Sequence, residues 1–254
     1  MMAETSYYRA PAVSVRQWLR EGAFGTIFYT EAEYHHPGID ALFFDSHGRR
    51  TWRYGRPPMF QSSHCTAYVV GVTGERLTHV SCLGFNDGSL PYKENVYNNP
   101  FANETALFKT DLGNALRVSR TWTGAHAGTE RASWYGETMS YFMEHPNGMP
   151  PTLVRPAKAD GADDAGFRRS EATPEPYDQP DWAMSDILPE PMRVSTGHGG
   201  SHTLLTHEFV DAVMRDRTPA VSVEVALAMA AAAVTAHQSA LDGGAQLAIP
   251  QFSL

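Results

Sequence analysis

Glu104-Thr105-Ala106-Leu107-Phe108-Lys109-Thr110, then Asp111-Leu112-Gly113, then Asn114-Ala115-Leu116-Arg117-Val118-Ser119-Arg120-Thr121-Trp122, sets the class of fold. Two runs rich in β-branched and aromatic residues flank a short Asp and Gly turn, the pattern of a β-hairpin. Strand signals continue on both sides of it. Upstream, Leu77 to Phe85 is stopped by Asn86-Asp87-Gly88, and Thr26 to Tyr34 runs on to His35-His36. Downstream, Arg131 to Met143 reads as one further strand, with bulk from Trp134, Tyr135, Tyr141 and Phe142. Strands joined in this way predict a largely antiparallel sheet.

Helices are predicted mainly near the two ends. Ser14 is positioned to cap a helix carrying Val15, Trp18 and Leu19, with Gly22 as its stop. Ser201 opens a second, whose core stripe is expected at Leu205, Phe209 and Val213. Ser222 caps a third, Val223 to about Leu241, ended by Gly243-Gly244. Its Ala230 to Ala233 run would permit close packing, and Leu247-Ala248-Ile249 reads as a final short strand. The fold class is therefore α+β, a large and mostly antiparallel β-sheet with helices packed on one face. Residues 1–254 are expected to form one domain, with a long excursion of low periodicity at about 156–192.

Composition narrows the function. A formal net charge of -8 argues against a nucleic-acid partner, which needs a basic face. No apolar run reaches spanning length, so no membrane partner is expected. Two cysteines, Cys65 and Cys82, make no disulfide framework, and a reducing cytoplasm is the expected compartment. No Gly-x-Gly-x-x-Gly turn follows a strand, so no dinucleotide-binding domain is encoded. His35, His36, Asp40, Asp45 and His47 invite a metal reading, but their spacing matches no compact ligand motif and no metal is expected.

Reactive groups concentrate instead in Trp52-Arg53-Tyr54-Gly55-Arg56-Pro57-Pro58-Met59-Phe60-Gln61-Ser62-Ser63-His64. The proline pair cannot be helical and biases the residue before it toward extended geometry. The apolar run that follows, Ala67 to Val70, reads as the start of a buried helix. His64 would then sit at a loop-to-helix junction, fixed from behind while its ring faces a cleft and exchanges a proton near neutral pH.

Gly22-Ala23-Phe24-Gly25-Thr26-Ile27, Glu31-Ala32-Glu33-Tyr34, Trp52-Arg53-Tyr54 through His64 to Gly71, Gly197-His198-Gly199-Gly200, Glu208-Phe209-Val210, Arg217-Thr218-Pro219, Ala236-His237-Gln238-Ser239-Ala240 and Ile249-Pro250 follow one another along nearly the whole chain. In that order and spacing they resemble the C-terminal domain of the Gfo/Idh/MocA oxidoreductases, in the branch acting on sugars. The resemblance implies a substrate-binding and oligomerisation domain, with NAD or NADP held by an N-terminal Rossmann domain in the complete enzyme and no cofactor on this chain alone. It implies His64 as the acid or base at the sugar hydroxyl, with Tyr34, His36, Arg53, Tyr135 and His198 lining the sugar pocket. Where the sugar-acting branch tends to carry Tyr-Pro-Thr before the histidine, this chain has Gln61-Ser62-Ser63. Oxidation, elimination and glycoside cleavage are all open outcomes for such a site.

Expected partners are a sugar-like small molecule and further copies of the chain, through a sheet face that the few helices leave bare. The resemblance begins where the family passes out of its first domain. The sequence would then be a fragment, the product of a start placed too late, or a subunit completed by a separate Rossmann protein. The alternative from a different class is a stand-alone, non-catalytic sugar-binding or assembly module.

Overall fold

The computed structural model describes residues 1–156 and 172–252. Its centre is a nine-stranded sheet in the order β8-β7-β6-β5-β1-β4-β3-β2-β9. The strands are β1 (Ile27–His35), β2 (Leu77–Phe85), β3 (Asn103–Thr110), β4 (Ala115–Thr121), β5 (Thr129–Gly136), β6 (Ser140–Phe142), β7 (Thr152–Pro156), β8 (Ala172–Pro176) and β9 (Leu247–Ala248). Every neighbouring pair is antiparallel except β1 with β4.

That one parallel pair positions the site. Parallel neighbours cannot be joined by a tight turn, so the chain must cross over one sheet face between them. After β1 it runs across the face through a 3-10 turn (Pro58–Gln61), the short helix α3 (Ser63–Thr66) and a single π turn (Ala67–Gly71), and then returns through the β2-β3-β4 meander. The His64 segment is this crossover.

The remaining helices are α1 (Thr5–Tyr8), α2 (Ala10–Arg20), α4 (Ser201–Met214) and α5 (Val223–Leu241). None of the described helices is long and apolar enough to cross a membrane. On the face the crossover covers, Val80, Ala106, Phe108, Leu116, Val118, Ala132 and Trp134 are buried against Tyr68, Val69, Met229, Ala232 and Ala236. The small side chains of α5 let it lie close against β2, as the alanine run predicts. Trp134 is fully buried and donates Nε1–H to the Tyr68 carbonyl at 2.9 Å. Truncating such a side chain to alanine costs about 3–5 kcal/mol. The opposite face is bare, with Leu83 66% and Leu107 55% exposed.

Four expectations are corrected. Helix α2 starts at Ala10 with Pro11 in its first turn, where the missing N–H is harmless, so Ser14 is interior and not a cap. The strand expected over Arg131 to Met143 is two strands, because the Gly136 N–H bonds the Met139 carbonyl at 3.1 Å and turns the chain. A Cβ at Gly136 would lie 2.5 Å from the Phe24 carbonyl oxygen, so the turn needs glycine. On α4, Phe209 and Val213 are exposed, and Thr203 and Ala212 face inward instead. Apolar residues lie nearly all round this helix, so its pattern does not select the docked face; α1 and the Trp182–Met184 turn do. In the 156–192 excursion, residues 157–171 lie outside the described residues. From Ala172 onward it forms β8 and then a strap over α2, where Trp182 Nε1 and Gln179 Nε2 both donate to Ser14 Oγ, at 3.0 and 2.9 Å.

Candidate active site

Strand register sets one row of polar side chains across the helix-covered face. Glu130 on β5 stands opposite Tyr34 on β1, Tyr34 beside Arg120 on β4, Arg120 opposite Glu104 on β3, and Glu104 opposite Gly84 on β2. Gly84 ends the row because Phe101 lies on it; a Cβ there would come within 2.2 Å of the ring.

The crossover is pinned along this row. Glu104 accepts the Met59 N–H at 2.7 Å, while Arg120 donates to the Pro58 carbonyl at 3.3 Å and to Gln61 Oε1 at 3.2 Å. Gln61, which stands in place of the expected tyrosine, is thus a support for Arg120. Arg120 also donates to the Tyr34 carbonyl at 2.8 Å and stacks on the Tyr34 ring at 4.0 Å. It is fully buried with neutral acceptors only, and burial lowers its pKa to about 10.

At the Glu130 end lies His64. Its ring is 4.8 Å from that of Tyr34, and its Nδ1 is 2.8 Å from Glu4 Oε1 and 3.3 Å from Ser6 Oγ. Ser6 in turn donates to Glu130 Oε1 at 2.6 Å, and Arg9 Nε lies 3.3 Å from the same oxygen. Glu4 is 3% exposed. Burial pushes its carboxyl up, but the hydrogen bond and charge of His64, with the Ser6 N–H, outweigh that and hold it below its ordinary value. An ionised carboxylate only accepts, so the imidazole proton sits on Nδ1 and Nε2 carries the free lone pair. No group among the described residues bonds Nε2. The His64 side chain is 25% exposed, and its neighbours Tyr34 and Glu130 line a cleft of 330 Å³ together with Arg9, His36 and Pro37.

The structure brings Tyr34 and His36 (ring centroids 6.0 Å apart) together with His64. Arg53 lies farther along the crossover, its guanidinium 4.5 Å from the Trp52 ring. His198 is in the turn before α4, 4.7 Å from the His202 ring. Tyr135 is not brought to the site. Side chains alternate along β5, so Tyr135 points to the bare face, where it packs 5.2 Å from Tyr29 and its hydroxyl donates to Glu31 at 3.4 Å. Sequence reasoning missed Glu4, Ser6, Glu130 and Arg120. None of the four stands near His64 in the sequence, so no local pattern marked them. Among the described residues, no group of three or more His, Cys, Asp or Glu side chains gathers as metal ligands.

No family model and no curated protein matches the chain. Solved structures do match it. An NAD-binding oxidoreductase from Klebsiella pneumoniae superposes with a TM-score of 0.69 at 11% identity, over 98% of this chain and 65% of that one. Levoglucosan dehydrogenase in complex with NADH and levoglucosan gives 0.64 at 17%, over 98% and 66%. An oxidoreductase domain protein from Kribbella flavida gives 0.63 at 16%, over 97% and 65%. The chain therefore spans about two thirds of the length of each. At these identities the likeness establishes the fold, and that fold is the one the resemblance implied, the α+β architecture of a Gfo/Idh/MocA C-terminal domain.

Proposed function

We propose that this chain is the substrate-binding domain of an NAD(P)-dependent oxidoreductase acting on a sugar or sugar derivative, with His64 as the acid or base at the hydroxyl being oxidised. The observation that carries this is the Glu4–His64 pair. A buried carboxylate bonds Nδ1 and fixes the imidazole tautomer, while the His64 side chain keeps 25% exposure and Nε2 is left without a partner among the described residues. Tyr34 flanks the ring and would orient the sugar, with His36 beside it.

Among the described residues no strand, glycine loop and helix N-terminus come together as a pyrophosphate cradle, so the residues present do not fit the dinucleotide. NAD or NADP would sit on another domain or subunit and supply the hydride acceptor; the solved relatives named as NADH complexes support a nicotinamide cofactor in the complete enzyme. This chain's part is to bind the sugar, exclude water and take the hydroxyl proton at His64 Nε2.

The test is a panel of aldoses, ketoses and cyclitols offered to the chain joined to its cofactor-binding domain, with NAD(P)H formation as the readout. Sugar-dependent reduction that vanishes in His64→Asn is expected. Sugars that bind with no reduction at any pH would leave a binding module and overturn the enzyme reading.

The bare sheet face supports a homo-oligomer. Leu83 and Leu107 lie beside an ion-pair cluster in which Arg117 reaches Glu31 at 3.2 Å and Glu33 at 3.3 Å, and Arg131 reaches Glu33 at 3.4 Å. Light scattering should show a dimer or larger that Leu107→Arg dissociates; a monomeric wild type would refute this.

A further inference from the structure

Beyond Tyr34 the polar row continues as a stack of alternating aromatic rings and guanidinium groups. Arg120 lies 4.7 Å from the Trp122 ring, Arg56 lies 5.8 Å from the same ring and 4.9 Å from Trp52, and Arg53 lies 4.5 Å from Trp52. Arg53 and Arg56 are the first and last residues of a β-turn closed by the Arg56 N–H on the Arg53 carbonyl at 3.1 Å. Gly55 holds the left-handed position of that turn with φ +67°, and a Cβ there would lie 2.3 Å from the Pro91 carbonyl oxygen. The turn therefore launches two arginine side chains from adjacent points.

Neither guanidinium has an acidic partner among the described residues. Arg56 is 8% exposed and its Nε, like that of Arg53, is buried with no hydrogen-bond acceptor. This is not for lack of acids, since the chain has 28 acidic and 20 basic residues. Elsewhere they are used: Arg9 pairs with Glu130, Arg117 with Glu31 and Glu33, Arg217 with Glu208 and Asp211. Burying a cation without a counter-charge is costly, and proteins keep one where a ligand completes it. Burial lowers the Arg56 pKa to about 10, which still leaves it charged at neutral pH. Ring and guanidinium contacts link Arg56 to the His64 end of the row: Arg56 to Trp122 at 5.8 Å, Trp122 to Arg120 at 4.7 Å, Arg120 to Tyr34 at 4.0 Å and Tyr34 to His64 at 4.8 Å.

Building on the sugar site proposed at His64, we propose that the substrate is a sugar acid, a uronate or aldonate, whose carboxylate is bound by Arg53 and Arg56 while its hydroxyl is presented to His64. A carboxylate is favoured over a phosphate by the backbone. Pro57 and Pro58, which follow Arg56, have no N–H to offer, so the oriented main-chain donors of a phosphate nest are absent there. The planar guanidinium fork matches a planar carboxylate. The exposed indole of Trp52 gives the forks a rigid backing, as cation–π contacts do.

The experiment is isothermal titration calorimetry of the chain with D-glucuronate, D-glucose and inorganic phosphate. Glucuronate should bind at least about tenfold more tightly than glucose, the scale of one charge-assisted hydrogen bond. The double variant Arg53→Met/Arg56→Met should abolish that gap. Arg53→Met alone, on the exposed side of the stack, should cut the gap by about threefold or more and keeps the test readable if the double variant does not fold. Equal binding of glucose and glucuronate, a gap that survives both variants, or phosphate binding as tightly as glucuronate would overturn the proposal. The two readings fail separately. A gap that depends on the arginines without sugar-dependent NAD(P)H formation leaves an anion site and removes the oxidoreductase; reduction supported equally by neutral sugars does the reverse.

Discussion

Two carboxylate–imidazole pairs terminate the same row of side chains. Glu4 meets His64 Nδ1 at 2.8 Å, and Glu104 meets His237 Nδ1 at 2.7 Å. In isolation they are chemically the same device. What separates them is access: the His64 side chain is 25% exposed, with Nε2 open, whereas His237 is 6% exposed and its Nε2 is buried without a partner. Around His237 stand Phe60 and Phe101, with centroids 5.5 and 6.3 Å away; beside His64 stands Tyr34, with its ring 4.8 Å away. The sealed pair ties α5 to β3 and, through the Met59 N–H, fixes the crossover. The open pair has a nitrogen left over for a substrate.

The same substitution at the two histidines should therefore have opposite consequences. His64→Asn in the complete enzyme should lower kcat by about a hundredfold or more with little change in Tm, the scale of a lost proton-transfer group. His237→Asn should lower Tm and leave the kcat of the folded fraction nearly intact. Equal losses of turnover would erase the comparison. At the sealed end, Glu104→Gln keeps the size but loses the charge facing His237, and denaturant melts should show a cost of about 2 kcal/mol. A cost near zero would mean that Glu104 does not hold the crossover.

At the open end, Glu4→Gln removes the group that fixes the His64 tautomer, and a loss in kcat of about tenfold is expected with a smaller loss of stability. Glu4 also gives the pair a pH signature. Its folded-state pKa is depressed below 4.5, so the stability it contributes is fully present above that value. That stability is lost as pH falls through the folded pKa, and the fall in Tm on the acid side should be shallower in Glu4→Gln. An unchanged acid limb would mean that the pair does not form in solution. The smallest effect belongs to Tyr135→Phe. Its hydroxyl lies on the bare face, so kcat should change by less than about twofold. A large loss of turnover would return Tyr135 to the site by way of a neighbouring copy.

The elements of the sheet and both long helices are readable in the sequence because alternation, turn residues and caps act over a few neighbours. The Asp111-Leu112-Gly113 hairpin, the Ser222 cap and the junction at His64 all have this local origin. The pattern misleads where two local signals compete. Pro11 is a better helix start than Ser14, Gly136 is hidden among aromatics, and the apolar residues around α4 leave its docked face undecided.

His64, Tyr34 and His36 stand out by residue type and by resemblance. Glu4, Ser6, Glu130 and Arg120 do not, because they lie 60, 58, 66 and 56 positions from His64 and meet it, or its supports, only through strand register and the crossover. Tyr135 shows the same limit from the other side, since one step along a strand moves a side chain to the opposite face. Strands, turns and caps, and the set of side chains able to do chemistry, are written in the sequence alone, since those properties belong to single residues and their near neighbours. Which of two equivalent imidazoles is left exposed is settled in three dimensions. Access depends on what the rest of the chain places over each ring, and no local pattern carries that.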